Sequence, residues 1–284
     1  MFLFLTLLLA TLLSFLYTYF LYDSESFTYW VFFLGIVISF FIVFILEVLI
    51  IWAFFIPVNK NKDVEKVKEN RFYYFIVRQI TYFLAQIFHV KMYVAGEEKL
   101  PKDGFLAVGN HQSNFDPIAS VWIFKKQRFK FVAKDVLFKF PLLGKALVGS
   151  GFLPLNRSDV RQGIQVINAS AERIKCGENI FIYPEGTRSK TRELIEFHAG
   201  SFKIAYKAKC PIAIIATDGA GDLGKRWPLA TKTFFKVCEV LEYDDYKDMN
   251  TQELKDYVYK VLDENIKDMR ARIPSLTKYL KKKD

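Results

Sequence analysis

Histidine and cysteine are both scarce in this chain of 284 residues, at three each. Cys176, Cys210 and Cys238 are odd in number and far apart. They argue against a disulfide framework and a zinc cluster, and suit a reducing compartment. Residues 1–56 hold no lysine or arginine and only three acids, Asp23, Glu25 and Glu47. Without a basic first region or a small-residue cleavage site, this apolar start does not read as a signal peptide. No internal repeat is visible. Nothing resembles a known DNA- or RNA-binding motif, so nucleic acid is not an expected partner.

The missing cations at the start throw the positive charge onto the rest. The formal charge is +10 overall and −3 over residues 1–56, so residues 57–284 carry +13. That asymmetry predicts a basic domain held against something anionic, such as a membrane surface, a phosphorylated substrate or an acidic carrier protein. The first part is instead two apolar blocks, Met1–Tyr22 and Tyr29–Ile56, joined through Asp23-Ser24-Glu25-Ser26. Each block is long enough for the ~20 residues of a bilayer crossing. Lys60, Lys62, Lys66 and Lys68 follow, which predicts a cell-membrane protein with its large domain on the cytoplasmic face. Two spans, or a hairpin dipping into one leaflet, give the same sidedness. Glu47, inside the second block, is either functional or a protonated or snorkelling carboxyl near a helix end.

Beyond the apolar blocks the pattern changes. Residues 57–90 read as a charged linker and an aromatic helix from Arg71 to Phe88, with Tyr73, Ile76, Ile80, Phe83 and Ile87 on one face, lying on a bilayer or packed on the domain. From residue 91 to 284, β-rich runs at Lys91–Val94, Phe105–Val108, Phe129–Ala133, Asn179–Tyr183, Ile212–Ala216 and Thr233–Leu241 alternate with helical patterns. One such pattern puts Ile164, Ile167, Ala171 and Ile174 on a face. Another opens on an Asn250/Glu253 capping box and continues through Leu254, Val258 and Leu262. The fold class expected is α/β, a mixed central sheet flanked by helices, preceded by a two-helix membrane hairpin. Lys281-Lys282-Lys283 reads as a solvated tail or an extra contact to anionic lipid.

Asn110-His111-Gln112-Ser113-Asn114-Phe115-Asp116 places a histidine five residues before an aspartate, after the apolar run Phe105–Gly109. That spacing does not suit one helix face. It suits a loop after a strand, with Asp116-Pro117 as N-cap and first helical residue, so that the carboxylate turns back onto the imidazole. A histidine so oriented is a general base near neutral pH. The plainer alternative is a capping aspartate and a satisfied loop histidine. Further on, the strand-like Phe181-Ile182-Tyr183 runs into Pro184-Glu185-Gly186-Thr187-Arg188-Ser189. A glycine there permits close backbone approach, and Arg188 offers a planar fork for phosphate. Gly149-Ser150-Gly151 leading to Arg157 has the look of another phosphate-facing loop, and Lys134 stands among several cations. No Gly-x-Ser-x-Gly elbow occurs, and no cysteine neighbours His111 in sequence.

In this order, the segments Asn110 to Asp116, Gly149 to Arg157, Pro184 to Ser189, and Pro211 to Ile215 resemble the glycerophospholipid acyltransferase family, closest to its lysophosphatidic acid acyltransferases. The likeness runs from about Lys91 to Leu241. It departs at Phe197-His198-Ala199-Gly200, where many members carry a lysine near His198. The resemblance implies transfer of an acyl chain from a thioester to the sn-2 hydroxyl of 1-acylglycerol-3-phosphate, giving phosphatidic acid. It implies His111 as base and Asp116 as its orienting partner. Arg188 would grip the acceptor phosphate with Lys134 and Arg157, while Glu185, Gly186 and Thr187 shape the pocket. No metal and no resident cofactor is implied. The donor would be acyl-coenzyme A or acyl carrier protein, and the partners the bilayer and lysophosphatidic acid. The alternatives are another acceptor, such as glycerol-3-phosphate or a different lysophospholipid, or an inactive membrane lipid-binding protein.

Overall fold

The computed structural model describes residues 2–21, 29–55, 69–156, 159–223 and 229–276. Lys60, Lys62, Lys66, Lys68, the Asp23–Ser26 link, Arg157 and the lysine tail lie outside them. Contacts divide the chain into two compact units, Met1–Asn59 and Lys60–Asp284.

The first unit holds helices α1 (Phe2–Leu21) and α2 (Tyr29–Phe55). The Thr6 hydroxyl donates to Glu47 Oε2 at 2.6 Å, and Ser14 Oγ lies 3.5 Å from Ser39 Oγ. Early residues of α1 thus meet late residues of α2, which is an antiparallel hairpin. Thr6, Ala10 and Ser14, spaced by four, are buried, as is Val43 opposite. The large apolar side chains point away from this seam, with Phe15, Leu16, Phe33 and Phe41 each more than half exposed. Among the described residues, however, no helix is long and apolar enough to cross a membrane, so the expected spans are not found.

The second unit is built on a seven-stranded mixed sheet. Its strands are β1 (Val90–Ala95), β2 (Leu106–Gly109), β3 (Phe129–Lys134), β4 (Leu153–Leu155), β5 (Asn179–Ile182), β6 (Ile212–Asp218) and β7 (Thr231–Leu241), in the spatial order β1-β7-β6-β2-β5-β3-β4. From β6 through β4 all neighbours are parallel; β7 is antiparallel to β6 and parallel to β1. The central strands β2, β5 and β6 are buried along their whole length, which is why they read as unbroken apolar runs rather than alternating ones. Crossovers through α4 (Phe115–Ile123), α5 (Pro141–Gly149), α6 (Val160–Lys175) and α7 (Lys203–Ala208) keep the strands parallel, so β2, β3, β5 and β6 end at one edge. After β7 come α8 (Tyr243–Tyr246) and α9 (Thr251–Arg272). The capping box opens α9 as the spacing predicts: Asn250 Oδ1 accepts from Gln252 and Glu253, and Glu253 accepts the Asn250 N–H at 2.8 Å. Leu254, Val258, Leu262, Ile266 and Met269 bury its apolar face in the main core.

Three expectations need correction. Helix α3 (Arg71–Ile87) forms, but it buries Tyr73, Tyr74, Ile76, Val77, Thr81 and Ala85 and leaves Ile80, Phe83 and Ile87 exposed. The helix has a clear apolar face, but the face that packs on the domain is rotated from it toward Tyr74, Val77, Thr81 and Ala85. Helix α6 likewise buries Val166, Ala169, Ala171 and Ile174, with Ile164 exposed. Third, Gly149-Ser150-Gly151 is no phosphate loop; it is the floor on which α3 sits. The Asn70 N–H donates to the Gly149 carbonyl at 2.9 Å, and a Cβ at Gly149 would overlap the Tyr73 ring. Beyond it the chain enters strand β4, which a proline and a three-residue length had hidden.

Candidate active site

The site is assembled where the parallel strands end, the usual place for ligands in such sheets. As the chain leaves β2, Asn110 replaces the missing backbone ladder with its side chain. Its amide donates to the Thr217 carbonyl and its oxygen accepts the Thr217 N–H, both at 2.8 Å. His111 follows, anchored at that point. Its Nδ1 donates to Asp116 Oδ2 at 2.9 Å, and the same oxygen accepts the N–H groups of Gln112 and Ser113 at 2.7 Å each. Asp116 is fully buried, and a buried carboxylate needs such convergent donors. A carboxylate can only accept, so this network assigns the proton to Nδ1 and leaves a lone pair on Nε2. Asp116 is not the N-cap as expected. Asn114 is, and Asp116 lies in the first turn of α4, where the helix end also favours negative charge.

The Pro184–Ser189 loop holds the histidine from the opposite side. Glu185 Oε1 accepts the His111 N–H at 3.0 Å, and the Ser189 N–H donates to the His111 carbonyl at 2.8 Å. Glu185, expected at the substrate, is instead buried against the histidine loop. Burial, reinforced by the nearby charge of Asp116, pushes its carboxyl up to about 8, against the opposing pull of the His111 and Ile195 backbone donors. Gly186 has φ +65, and a Cβ there would fall 3.0 Å from the His198 ring. The positive φ favours glycine, and a larger residue would also need the His198 ring to give way. Thr187, Arg188 and Lys134 are exposed, and among the described residues neither Arg188 nor Lys134 has a polar partner. Lys134 ends β3 and Arg188 follows its neighbour β5, so both cations stand on the edge that carries His111. The site therefore separates into residues turned inward to fix the imidazole and cations turned outward and free for an anion. Arg157 lies outside the described residues.

Two features escaped the sequence reading. Tyr183 stacks on the His111 ring, with centroids 4.4 Å apart and planes within 18°. Behind the loop lies a buried charge network. Arg192 bonds Asp218 through Nε at 3.1 Å and Nη2 at 2.5 Å, and Asp222 through Nη1 at 2.8 Å. From α9, Arg270 adds bonds to Asp218, Glu193 and the Arg192 carbonyl. The only signal was charges closing otherwise apolar runs, such as Asp218 after Ile212–Thr217.

Residues 91–217 match the Acyltransferase family. The chain is 35% identical to a chloroplastic 1-acyl-sn-glycerol-3-phosphate acyltransferase of Brassica napus, over 46% of this chain and 38% of that protein. It is 34% identical to the 1-acyl-sn-glycerol-3-phosphate acyltransferase of Saccharomyces cerevisiae, over 46% and 44%. The chain thus spans less than half the length of these two relatives. In fold, the crystal structure of the 1-acyl-sn-glycerophosphate acyltransferase from Thermotoga maritima matches with a TM-score of 0.59 at 24% identity, covering 80% of this chain and 96% of that one. Its agreement extends beyond residues 91–217, and bears on the α/β architecture alone.

Proposed function

We propose that the protein transfers an acyl chain from an acyl thioester to the sn-2 hydroxyl of 1-acylglycerol-3-phosphate, making phosphatidic acid. The observation that carries this reading is the oriented His111–Asp116 pair beside the unpartnered Arg188 and Lys134. His111 Nε2 takes the acceptor hydroxyl proton as that oxygen attacks the thioester carbonyl. The new C–O bond forms, the C–S bond breaks, and the proton passes from His111 to the leaving thiolate. Asp116 holds the tautomer and stabilises the imidazolium, a role worth roughly 10²–10⁴ in rate for the base as a whole. Arg188 and Lys134 hold the acceptor phosphate. The donor is acyl-coenzyme A or acyl carrier protein; both are anionic, and a domain of net +13 attracts either. No resident cofactor takes part in this scheme.

The membrane belongs to the same proposal. The hairpin is inverted relative to a water-soluble pair: hydroxyls and Glu47 face the seam and large apolar side chains face outward, the arrangement lipid favours. We assign it to insertion into a cell membrane with the catalytic domain on the cytoplasmic face. In the second unit, Phe72, Phe75 and Phe83 of α3 and Phe140 and Leu143 near α5 are exposed apolar groups that suit contact with the same surface.

The test is an assay of the purified full-length chain on lysophosphatidic acid, glycerol-3-phosphate, lysophosphatidylcholine and monoacylglycerol, each with both donors. Phosphatidic acid should form from lysophosphatidic acid in preference to the other products. Arg188→Lys should lose more activity on phosphate-bearing than on neutral acceptors, because it loses the fork and keeps the charge. Free fatty acid in place of diacyl product would make the protein a hydrolase and overturn the proposal.

A further inference from the structure

The His111 imidazole is fixed at one edge by Asp116, but a single hydrogen bond leaves the ring free to rotate about that contact. The second constraint is aromatic. Tyr183 lies flat against His111 at 4.4 Å. Beneath Tyr183 the rings continue: Phe181 is 4.9 Å from it, Phe131 is 6.1 Å away and nearly parallel at 17°, and Phe131 and Phe181 stack at 5.1 Å. This column rises from the middle of β3 and β5 and ends at the histidine. Gly109 makes room for it, since a Cβ there would fall 2.9 Å from Phe181 Cζ. The Tyr183 hydroxyl is buried and has no hydrogen-bond partner among the described residues, so it is the ring stack, not the phenol, that holds the side chain. The tyrosine therefore cannot turn without breaking the column.

We propose that Tyr183 is a positioning residue for acyl transfer: its ring face sets the plane of the His111 imidazole, so that Nε2 points at one place on the open edge of the sheet. The inference rests on the proposed role of His111 as base. Two physical effects follow. With Nδ1 held by Asp116 and the plane held by Tyr183, the imidazole has one orientation left, and orientation of this kind carries about a hundredfold in rate when misplaced by ~1 Å. The π face also attracts the imidazolium that forms as the hydroxyl proton is taken, a contribution of about tenfold where water is excluded. Both act on the reacting state, and neither touches the bound acceptor.

The experiment compares Tyr183→Phe and Tyr183→Leu in the full-length enzyme. Phenylalanine keeps the stack and should keep kcat within about threefold. Leucine keeps an apolar filler without a ring face. It should lower kcat about ten- to a hundredfold and leave the acceptor KM within about threefold. A kcat for Tyr183→Leu equal to wild type overturns the proposal, as does an equal loss in Tyr183→Phe, which would assign the effect to the hydroxyl. A second readout needs no turnover. With only three histidines, His89, His111 and His198, the ring protons can be assigned by NMR through single substitutions. Those of His111 should lie upfield in wild type and Tyr183→Phe through the ring current, and move downfield in Tyr183→Leu. Unchanged His111 shifts in Tyr183→Leu defeat the positioning proposal whatever the reaction. A wild-type enzyme that shows the shift but no acyl transfer defeats the functional reading instead.

Discussion

Glu185 gives the sharpest quantitative expectation. It is buried, it accepts the His111 N–H, and its second oxygen has no partner. Its carboxyl titrates at about 8 in the fold against an ordinary value of 4.5. A carboxyl raised in this way holds its proton in the folded state over the pH range where the unfolded chain has released it. The folded state then binds more protons than the unfolded one, so stability falls as pH rises from about 4.5 through 8. At ~1.4 kcal/mol per unit the difference is at most ~5 kcal/mol, and relaxation around the charge should reduce it to ~2–3 kcal/mol. Glu185→Gln keeps the shape and the acceptor for His111 but cannot ionise. Urea unfolding in detergent, followed by tryptophan fluorescence from pH 5 to 9, should show wild type losing stability against Glu185→Gln by that amount, mostly below pH 8. Glu185→Ala should be less stable than Glu185→Gln at every pH by ~1–3 kcal/mol, because it strands the His111 N–H. Parallel wild-type and glutamine curves would refute the reasoning, and would mean that the carboxylate is ionised and satisfied throughout.

The remaining expectations concern the base, the buried network and the hairpin. His111→Ala should reduce acyl transfer by roughly 10²–10⁴ in a single-turnover assay, with Asp116→Asn close behind, since asparagine can donate to Nδ1 and favour the wrong tautomer; near-normal turnover by pure His111→Ala enzyme would end the mechanism. Asp218→Asn removes the charge that faces both Arg192 and Arg270, and should cost ~3–5 kcal/mol in unfolding free energy, because breaking a buried pair leaves its partners uncompensated. Deleting residues 1–56 should abolish salt-resistant co-sedimentation with anionic vesicles and leave weaker, salt-sensitive binding, since exposed charges are screened over ~8 Å at physiological ionic strength; unaltered high-salt binding would remove the hairpin from the membrane role.

Where the sequence was legible, one physical signal dominated locally. Six of the seven strands show as β-rich runs: β2, β5 and β6 because burial on both faces leaves only apolar side chains workable, and β1, β3 and β7 because β-branched and aromatic residues recur along them. The Asn250/Glu253 box fixed the start of α9 because capping is set by four residues in a row. The loop carrying His111 could be read because a spacing of five fits no helix face. What stayed hidden depends on partners distant in sequence. The buried faces of α3 and α6 are rotated from their apolar faces, because what packs on them is set by elements that periodicity does not encode. β4 is three residues long and contains Pro154, so it offers little periodicity and a residue usually confined to strand edges. Glu185 looked like a pocket residue because nothing in Pro-Glu-Gly-Thr-Arg-Ser tells that the glutamate turns inward to a backbone 74 positions earlier. The stack of Tyr183 on His111 needed the register of β2 against β5, which no single segment encodes.

The inward and outward division of the site also has a cause that bears on function. Asp116 and Glu185, two carboxyls close enough to affect each other, cannot both be charged and buried without cost. Asp116 receives three hydrogen bonds on one oxygen and stays the acceptor that a histidine partner requires. Glu185 receives fewer and lets go of its charge. A neutral Glu185 adds no second negative charge near the imidazole. An ionised Glu185 would instead oppose the pull of Arg188 and Lys134 on an incoming phosphate. A neutral Glu185 lets the loop that bears Arg188 lie directly on the histidine loop, so the group that holds the anion and the group that takes the proton are parts of one hydrogen-bonded assembly. The pH at which Glu185 ionises should therefore mark a decline in acceptor affinity as well as in stability. A rising acceptor KM above about pH 8 in wild type that is absent in Glu185→Gln would show that coupling, and identical KM profiles would exclude it.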